Sequence, residues 1–453
     1  MKRLRIIIAV MLAKIIYFLC KISGSRASAA PGKYASKICP YIIDVLSKKV
    51  KKQIIIVCGT NGKTTTNNLI NTTLVRAGYK TVCNSTGANM INGIITAFCM
   101  KASVFASLDV DFACLEVDEA TLPILFSHIE PSVIVVTNLF RDQLDRYGEV
   151  EATSKLLKKA FDMALGAKLV LNADDPVTAT FGEGRDAVYY GVDGKIDILG
   201  CNEIRDGALC AKCAQPLTYE YYMYGQIGRY RCENCGNENP TASYLAKNIC
   251  IKEGILHFDV TNEGYSVHAQ SSVTGIYNVY NMLMAFAATD MAGIDKKFIM
   301  GVLCSQKPQP GRMSRFNIKD KTIYLLLSKN PIGFNQSVTT VINDKREKSV
   351  LLALNDRPQD GEDVSWIWDV DFESLLKGDA KRYIISGERR YDMYIRLKYA
   401  NYDESKMSVY DTTDLALKEI LQGDEKISYL LVNYSAMYPM YKALKAMEEG
   451  KNE

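Results

Sequence analysis

The segment Gln53-Ile-Ile-Ile-Val-Cys58, followed at once by Gly59-Thr-Asn-Gly-Lys-Thr-Thr65, decides the first part of the fold. The apolar run has the length of a buried parallel strand, and the glycines after it predict a tight turn into a helix from about Lys63 to Gly78. Strand, turn and helix in this order make a βα unit. The backbone N–H groups of such a turn and the helix N-terminus can surround phosphate oxygens.

The turn has the spacing G-x-x-G-K-T, one step from the common phosphate loop because Val57 stands where the first glycine would be. We expect Lys63 to reach the terminal phosphates and the Thr64 hydroxyl to bind Mg²⁺. The sequence therefore predicts a site for ATP and Mg²⁺. Its loop residues are Gly59, Thr60, Asn61, Gly62, Lys63, Thr64 and Thr65.

Further strand-length apolar runs at 112–117, 133–137 and 168–172 alternate with helical stretches, which predicts a doubly wound α/β sheet. The first of these runs leads into Glu116-Val-Asp-Glu119, at the sheet edge where open α/β folds bind ligands. We expect Glu116 to bind Mg²⁺, with Glu119 as the alternative ligand.

Length and composition bound the class of protein. A chain of 453 residues is too long for one core, and 48% hydrophobic with 23% charged residues is typical of a globular enzyme. The net charge is only +4 and no basic run interleaves with aromatic residues, which argues against nucleic-acid binding.

The first twenty residues resemble a signal peptide, but Lys14 interrupts the apolar run, which is shorter than the about 20 residues of a membrane span. We expect a helix docked on the protein. A helix on the membrane surface is the alternative, with the basic residues Lys2, Arg3, Arg5, Lys14 and Lys21. Because the predicted site uses ATP, we expect the protein in the cytoplasm, with the inner face of the membrane as the alternative.

Four of the 13 cysteines form two Cys-x-x-Cys pairs within a segment, 200–245, that lacks helical periodicity. Four thiolates at this spacing predict a closed, structural Zn²⁺ site; a redox pair or an iron–sulfur site is the alternative. The predicted zinc ligands are Cys210, Cys213, Cys232 and Cys235.

After Gly311 the alternation of strands and helices resumes, with strands near 322–328, 349–354, 382–386 and 428–433 and a helix at 438–449. The pattern predicts a second, Rossmann-like α/β domain. The expected organisation is an N-terminal helical segment at 1–50, a central domain at 51–316 with the cysteine segment as a zinc-ribbon insertion, and a C-terminal domain at 317–453.

Six motifs occur in the order and rough spacing of the Mur ligase family, and the chain resembles that family's central ATPase domain. They are GTNGKTT (59–65), LEVDE (115–119), TNLFRDQLDRYG (137–148), LNADDP (171–176), GIYNVYN (275–281) and PGRM (310–313). The resemblance implies an ATP-dependent ligase that forms an amide through an acyl-phosphate. It also implies a place near the nucleotide or its metals for Asn138, Asp142, Asn172, Asp175, Asn278, Asn281 and Arg312.

Three departures from the family matter. Gln143 stands where most members have histidine, and Leu157, between Lys155 and Lys158, falls where many carry a carbamylated lysine. The phosphate loop begins by residue 59, which leaves no room for the usual N-terminal UDP-binding domain. We therefore expect the substrate to be held differently.

The zinc pairs, the missing UDP-binding domain and the polar loops at 329–336 and 355–369 resemble one branch of the family, the synthetase subunits of lipid II isoglutaminyl synthases. The resemblance implies amidation of the α-carboxylate of D-glutamate in the stem peptide of lipid II, at the membrane face. An amino-acid-adding ligase of the Mur or folylpolyglutamate synthetase type is the alternative.

The same resemblance implies a GatD-like glutaminase as the partner in a heterodimer. Releasing ammonia from glutamine needs an activated nucleophile, and none of the 3 histidines of this chain lies in a cysteine-associated motif. The glutaminase is therefore expected elsewhere. Asp363 matches the aspartate that orients the partner's histidine in this branch; a residue that only caps its own loop is the alternative.

Overall fold

The structure is a computed structural model that describes residues 2–23, 27–85, 87–141, 150–194, 207–252, 255–273, 275–305 and 312–450. Its helices are α1 Lys2–Ile22, α2 Ala30–Ile38, α3 Ile42–Ser47, α4 Lys63–Arg76, α5 Ile91–Lys101, α6 Leu122–Phe126, α7 Val150–Asp162, α8 Ile276–Met291, α9 Lys296–Cys304, α10 Pro331–Asn343, α11 Phe372–Leu375, α12 Arg390–Tyr399, α13 Thr413–Gln422 and α14 Tyr434–Glu448.

The strands are β1 Val50–Cys58, β2 Thr81–Cys83, β3 Val110–Glu116, β4 Val133–Val136, β5 Lys168–Asn172, β6 Ala187–Val192, β7 Thr218–Tyr224, β8 Ile227–Arg231, β9 Tyr244–Lys252, β10 Ile255–Asn262, β11 Tyr265–Ser271, β12 Arg312–Ile318, β13 Lys321–Leu327, β14 Lys348–Ala353, β15 Ala380–Ser386, β16 Met407–Val409 and β17 Ile427–Val432. They form a nine-stranded sheet, a six-stranded sheet and the hairpin β7–β8.

The nine-stranded sheet has the order β11-β10-β9-β6-β5-β4-β1-β3-β2. The strands from β2 to β9 are parallel. Apolar clusters cover both faces, with α1 to α3 and α5 to α7 on one side and α4, α8 and α9 on the other. The doubly wound α/β architecture predicted from the alternating runs is confirmed.

The sequence reasoning missed the last three strands of this sheet. β9 lies parallel to β6, and β10 and β11 follow it in antiparallel pairs. Leu256, Phe258 and Val260 of β10 are buried, while the residues between them are partly exposed. This period of two is the mark of a half-buried strand and could have been found.

The six-stranded sheet has the order β12-β13-β17-β14-β15-β16 and is parallel except for β12. Helices pack on both faces here too, which confirms the Rossmann-like second α/β unit. The four predicted strands correspond to β13, β14, β15 and β17, with ends that differ by two residues at most.

In the described part of the chain, no helix combines the length and the apolar character needed to cross a bilayer. Helix α1 packs against α2 and α5.

A buried carboxylate, Asp174, ties the nine-stranded sheet to α8. It accepts hydrogen bonds from the backbone N–H of Val192 at 2.8 Å, from the Tyr280 hydroxyl at 2.8 Å and from Asn239 Nδ2 at 3.1 Å. Burial raises the pKa of Asp174 from its ordinary 3.8 to about 6, because these donors do not fully replace water around the charge.

The raised pKa of Asp174 predicts a pH dependence of stability. The folded protein holds this proton more tightly than the unfolded chain, so the free energy of unfolding should fall as the pH rises from about 4 to about 6, by roughly 3 kcal/mol from this group. Asp174→Asn has no proton to lose, so the stability advantage of the wild type over this variant should shrink across that interval and stay constant above it. Urea unfolding at several pH values measures the difference.

The control is Asp186→Asn. Asp186 lies in the same connection between β5 and β6 as Asp174, but its side chain is 70% exposed. This variant removes an exposed carboxylate and leaves the hydrogen bonds of Asp174 in place. If the stability difference between wild type and Asp174→Asn is constant from pH 4 to 7, the assignment of the raised pKa is wrong.

Candidate active site

The phosphate loop is shaped by a close approach of α8. Gly62 has φ +90° and precedes the first residue of α4. A Cβ atom on Gly62 would lie 2.2 Å from Asn281 Oδ1. Only glycine tolerates both the left-handed backbone and this contact. Asn281 therefore packs directly against the loop, and it donates to Asn278 Oδ1 at 3.4 Å.

The end of β4 fixes the loop by hydrogen bonds to its backbone. Asn138 Oδ1 accepts from the N–H of Asn61 at 2.9 Å, and Asn138 Nδ2 donates to the Asn61 carbonyl at 3.1 Å. Thr60 Oγ1 donates to the Phe140 carbonyl at 3.1 Å and accepts from its N–H at 3.0 Å. Asn138 thus holds the backbone that would surround the phosphates.

Lys63 and Glu119 form a buried ion pair inside the loop, with Nζ and Oε1 2.9 Å apart. Glu119 Oε1 also accepts from the Gly59 N–H at 3.0 Å, and Lys63 donates to the Gly59 carbonyl. Burial disfavours the ammonium, but the charge of Glu119 outweighs this effect and raises the pKa of Lys63. Lys63 is therefore a permanent cation, and Glu119 occupies the donors that suit a phosphate oxygen.

Glu116 ends β3 beside the loop, paired in the sheet with Val57. Its backbone N–H donates to Asn84 Oδ1 at 2.9 Å, and Asn84 Nδ2 donates to its carbonyl at 2.7 Å. The side chain is buried, and Oε2 has no hydrogen-bond partner among the described residues. A buried carboxylate oxygen without a donor fits a cation ligand, since an isolated charge is costly there.

The two threonines of the loop lie at the start of α4. Thr65 is buried, whereas Thr64 is partly exposed and its Oγ1 would lie 3.8 Å from a Cβ atom on Gly87. The Thr64 hydroxyl therefore faces the loop after β2.

Asn172 and Asp175, after β5, are both fully buried. Asp175 accepts from the N–H of Leu139 at 3.2 Å and of Val177 at 3.0 Å, and burial raises its pKa. Asn172 Oδ1 accepts from the Asp174 N–H at 3.0 Å, while its Nδ2 has no partner among the described residues. Asp175 supports the β4 end, and Asn172 retains a donor for a ligand.

Some predicted positions cannot be placed. Asp142 and Gln143 lie outside the described residues, and the side chain of Arg312 does too, although its backbone begins β12. Leu157 packs in the core, while Lys155 and Lys158 on either side of it are exposed. This turn of α7 thus offers an apolar contact where many Mur ligases carry the modified lysine.

The four predicted cysteines come together. Their sulfur atoms lie within 4.8 Å of one another, with 3.6 Å between Cys210 and Cys235 and 3.5 Å between Cys213 and Cys232. Two sulfurs bound to one Zn²⁺ at about 2.3 Å would be about 3.8 Å apart. In each Cys-x-x-Cys pair the backbone N–H of the first cysteine donates to the carbonyl five residues later. The distance is 2.7 Å both from Cys210 to Gln215 and from Cys232 to Asn237. The donor set therefore fits a tetrahedral metal site.

The hairpin β7–β8 lies between the two Cys-x-x-Cys pairs and contacts the residues after β4 that hold the phosphate loop. At its tip, Gln226 Nε2 donates to the Leu139 carbonyl at 2.6 Å and to Asp175 Oδ1 at 3.4 Å. A Cβ atom on the neighbouring Gly225 would lie 2.8 Å from the ring of Phe140 and 3.2 Å from Ile332 Cδ1. The tip is thus wedged between the β4 end and α10.

The second α/β unit contacts the site directly. Asn330 caps α10 by accepting from the Gly333 N–H at 2.8 Å, and its Nδ2 donates to Asn61 Oδ1 of the phosphate loop at 3.2 Å. Arg141, next to the β4 end, pairs with Asp369 at 3.3 Å. These contacts join the loop to the C-terminal sheet.

The aspartates of the loop after β14 differ in environment. Asp360 is buried, accepts from the Ser435 N–H at 2.8 Å and has its pKa raised by burial. Asp363 is exposed and accepts from the Ser365 N–H at 2.8 Å; this bond, with one from the Ser365 side chain, lowers the pKa of Asp363. Asp363 is therefore an ionised carboxylate on the surface, open to a second protein.

The sequence reasoning missed Asn84 and Gln226, which have structural contacts at the site, and named Asn330 only as part of the polar loop 329–336. Asn84 holds Glu116, Gln226 holds Leu139, and Asn330 holds Asn61. Their partners lie 32 to 269 positions away in the chain, so no local pattern marks them.

Comparison with known proteins gives two family matches in this chain. Residues 57–234 match the Mur ligase middle domain, and residues 327–437 match the MurT ligase C-terminal domain. Among solved structures, a pseudomurein peptide ligase type C from Methanothermus fervidus is similar with a TM-score of 0.71 and 24% identity, over 90% of this chain and 81% of that one. That similarity shows the fold.

Two curated relatives extend over nearly the whole chain. The MurT subunit of the glutamine-hydrolyzing lipid II isoglutaminyl synthase of Staphylococcus aureus is 32% identical, over 98% of both chains. The corresponding subunit of Streptococcus pneumoniae is 33% identical, over 94% of both. With both domain matches in the expected order, the chain belongs to the MurT family, a branch of the Mur ligases.

Proposed function

We propose that this chain is the synthetase subunit of a lipid II isoglutaminyl synthase, and that it uses ATP to amidate the α-carboxylate of D-glutamate in the stem peptide. The observation that carries the proposal is the full-length similarity to MurT subunits, through the phosphate loop, the cysteine segment and the C-terminal unit. The alternative, an amino-acid-adding ligase, has less support, because the MurT C-terminal match is specific to this branch.

The phosphate loop supplies the groups that ATP needs. Its backbone N–H groups and the cation of Lys63 would bind the β- and γ-phosphates, and Lys63 would then exchange its Glu119 partner for phosphate oxygen. Thr64 and Glu116 would hold Mg²⁺, with Glu119, once released, as the other carboxylate in reach. When bound, Mg²⁺ neutralises phosphate charge. Asn172, Asn278, Asn281 and Arg312 would line the nucleotide.

The reaction proceeds in two steps. An oxygen of the substrate carboxylate attacks the γ-phosphorus, the bond to the bridging oxygen breaks and ADP leaves. Ammonia then attacks the acyl carbon, phosphate leaves, and the nitrogen gives up a proton to form the amide. Lys63 serves the first step, because its charge opposes the negative charge that develops on the transferred phosphoryl group.

The cysteine cluster would hold a structural Zn²⁺. Four thiolates leave no open position for a substrate, and a structural metal of this kind stabilises the segment that holds it. Zinc would therefore stabilise the hairpin whose tip supports Leu139.

A subunit of a glutamine-hydrolysing enzyme needs a partner that makes ammonia. We propose a GatD-like glutaminase that docks at the loop after β14, where Asp363 would accept from the ring N–H of the partner's catalytic histidine. Asp363 is then a positioning residue for that imidazole. A lipid-linked substrate and the use of ATP would favour a position of the complex at the inner face of the membrane.

Lys63→Ala should lower ATP-dependent amidation at least about 100-fold, because one charge that stabilises the transferred phosphoryl group is lost. Lys80→Ala, which removes an exposed lysine that pairs with Asp109, should leave it unchanged. The measurement is phosphate release and amidated product with the partner and ammonium. Retained turnover in a folded Lys63→Ala protein would rule out this site as the nucleotide site.

One Zn²⁺ should be bound per chain, and Cys232→Ser should lose it and unfold at a lower temperature. Cys304→Ser is the matched control, since Cys304 is exposed and lies outside the cluster. Elemental analysis of the purified proteins checks the metal. Iron in place of zinc, or full zinc content in Cys232→Ser, would contradict the assignment.

Asp363→Asn should reduce glutamine-driven amidation steeply and spare amidation driven by free ammonium, because the phosphate loop is untouched. In a serine protease the equivalent change costs about 10⁴-fold, since a neutral amide holds the wrong imidazole tautomer. Asp356→Asn in the same loop, which removes a pair with Arg389, is the control. Product is measured with each nitrogen source and the partner present.

An equal loss with both nitrogen sources would place Asp363 in the synthetase site or the fold. A steep loss for Asp356→Asn alone would identify that residue as the one that meets the partner.

A further inference from the structure

Helix α1 is docked through one face only. Ile6, Ala9, Val10 and Ala13 are buried in the core shared with α2 and α5. The backbone carbonyl of Met100 accepts from Lys14 Nζ at 3.1 Å, and the Ile38 carbonyl accepts from Arg5. The helix is therefore fixed on the protein, and its opposite face has a defined direction.

The opposite face is apolar although it is exposed. Its seven large side chains are between 46% and 69% exposed. Spacings of three and four residues place them along one stripe of a helix about 31 Å long. A contiguous exposed apolar stripe marks a binding surface more often than free surface. We call it the α1 stripe: Leu4, Ile8, Met11, Ile15, Phe18, Leu19 and Ile22.

Basic residues border the α1 stripe. At about 100° per residue, Arg3, Lys14 and Lys21 follow one edge of it and Arg5 lies at the other. The helix itself contains no aspartate or glutamate. An apolar stripe between cationic edges is the pattern of a helix that lies in the headgroup region of a bilayer.

The surrounding sequence has the same charge bias. No acidic residue precedes Asp44, whereas this stretch contains the basic residues Lys2, Arg3, Arg5, Lys14, Lys21, Arg26, Lys33 and Lys37. The formal net charge of the whole chain is only +4, so the rest of the chain is net negative. The positive charge is thus concentrated at the helix that carries the stripe, which favours an anionic partner.

A second copy of this chain fits the α1 stripe less well than an anionic lipid surface does. Two α1 stripes packed together would bring their cationic edges into contact, and like charges facing each other at an interface oppose association. Anionic lipid satisfies both parts of the surface, since its acyl chains accept the stripe and its headgroups accept the lysines and arginines.

We propose that the α1 stripe binds the surface of an anionic phospholipid bilayer and lies in it without crossing it. Such a contact would hold the synthetase at the surface where a lipid-linked substrate is found, a consequence that rests on the proposed function. Each single contact of this kind is weak, but seven apolar side chains and their basic neighbours act together.

Co-sedimentation of the full chain with vesicles tests the proposal. Vesicles of phosphatidylcholine and phosphatidylglycerol in equal parts should sediment the protein, and vesicles of phosphatidylcholine alone should sediment far less. Ile15→Ser with Leu19→Ser should weaken binding at least about tenfold, because two apolar side chains that would be buried in the bilayer are lost. The matched control is Tyr391→Ser with Ile395→Ser, on α12, which changes two similarly exposed residues at the same spacing.

Arg3→Gln with Lys21→Gln should also weaken binding, and added salt should do the same, since screening shortens the range of charge attraction. All variants change exposed side chains, and unaltered unfolding temperatures verify that they fold. Equal sedimentation of wild type and stripe variants, or equal binding to both vesicle types, overturns the proposal.

Oligomeric state and partner binding are measured on the same proteins. If the stripe variants abolish a dimer of this chain or binding of the glutaminase, and wild type does not bind vesicles, the stripe is a protein interface and the proposal is wrong. Amidation of detergent-dispersed lipid II separates this result from the proposed function. Stripe variants should keep that activity, whereas an incorrect function would leave wild type inactive whatever its vesicle binding.

Discussion

Four consecutive residues, Asn138 to Arg141, hold together parts of the protein that are distant in sequence. Asn138 and Phe140 bind the backbone of the phosphate loop, and Leu139 receives a hydrogen bond from the tip of the cysteine hairpin. Arg141 pairs with the C-terminal unit. The geometry of the loop is therefore not a property of β1 and α4 alone. Any movement of the hairpin or of the C-terminal sheet acts on the end of β4, and through it on the groups available to phosphate.

The chemistry of the site could be predicted from sequence where the residues that make it are close in the chain. The glycines and lysine of the phosphate loop follow one another, and each cysteine pair forms a single turn, so their spacing reflects their geometry. The contacts that position these groups could not be predicted. Asn330 reaches Asn61 across 269 positions, and an asparagine before a proline is an ordinary helix cap in sequence terms. The order of strands in each sheet, which brings such residues together, has no local signal.

The carboxylates at the end of β3 also show that the sequence predicts the chemical groups of the site but not the contacts that distinguish them. The motif LEVDE predicts acidic groups near the loop but does not separate their functions. In the structure Glu119 neutralises Lys63 and accepts from the Gly59 N–H. Glu116 is held by its backbone, and its buried Oε2 has no hydrogen-bond partner among the residues that the structure describes. The first arrangement keeps Lys63 charged inside a buried loop. The second leaves a buried oxygen that accepts from no described donor. The two carboxylates therefore differ in environment, since Glu119 is paired with a cation of the protein and Glu116 Oε2 is not.

Burial also explains why residues of one loop can have different functions. Asp360 and Asp363 are three positions apart. Asp360 is buried and accepts from the first turn of α14, whereas Asp363 is exposed and accepts from Ser365 in its own turn. A buried aspartate fixes the loop on the sheet but cannot contact another protein. An exposed aspartate held in one conformation by a short turn can do so without a large loss of side-chain freedom on binding. Asp360 therefore fixes the loop on the sheet, and Asp363 lies on the exposed side of the same fixed loop.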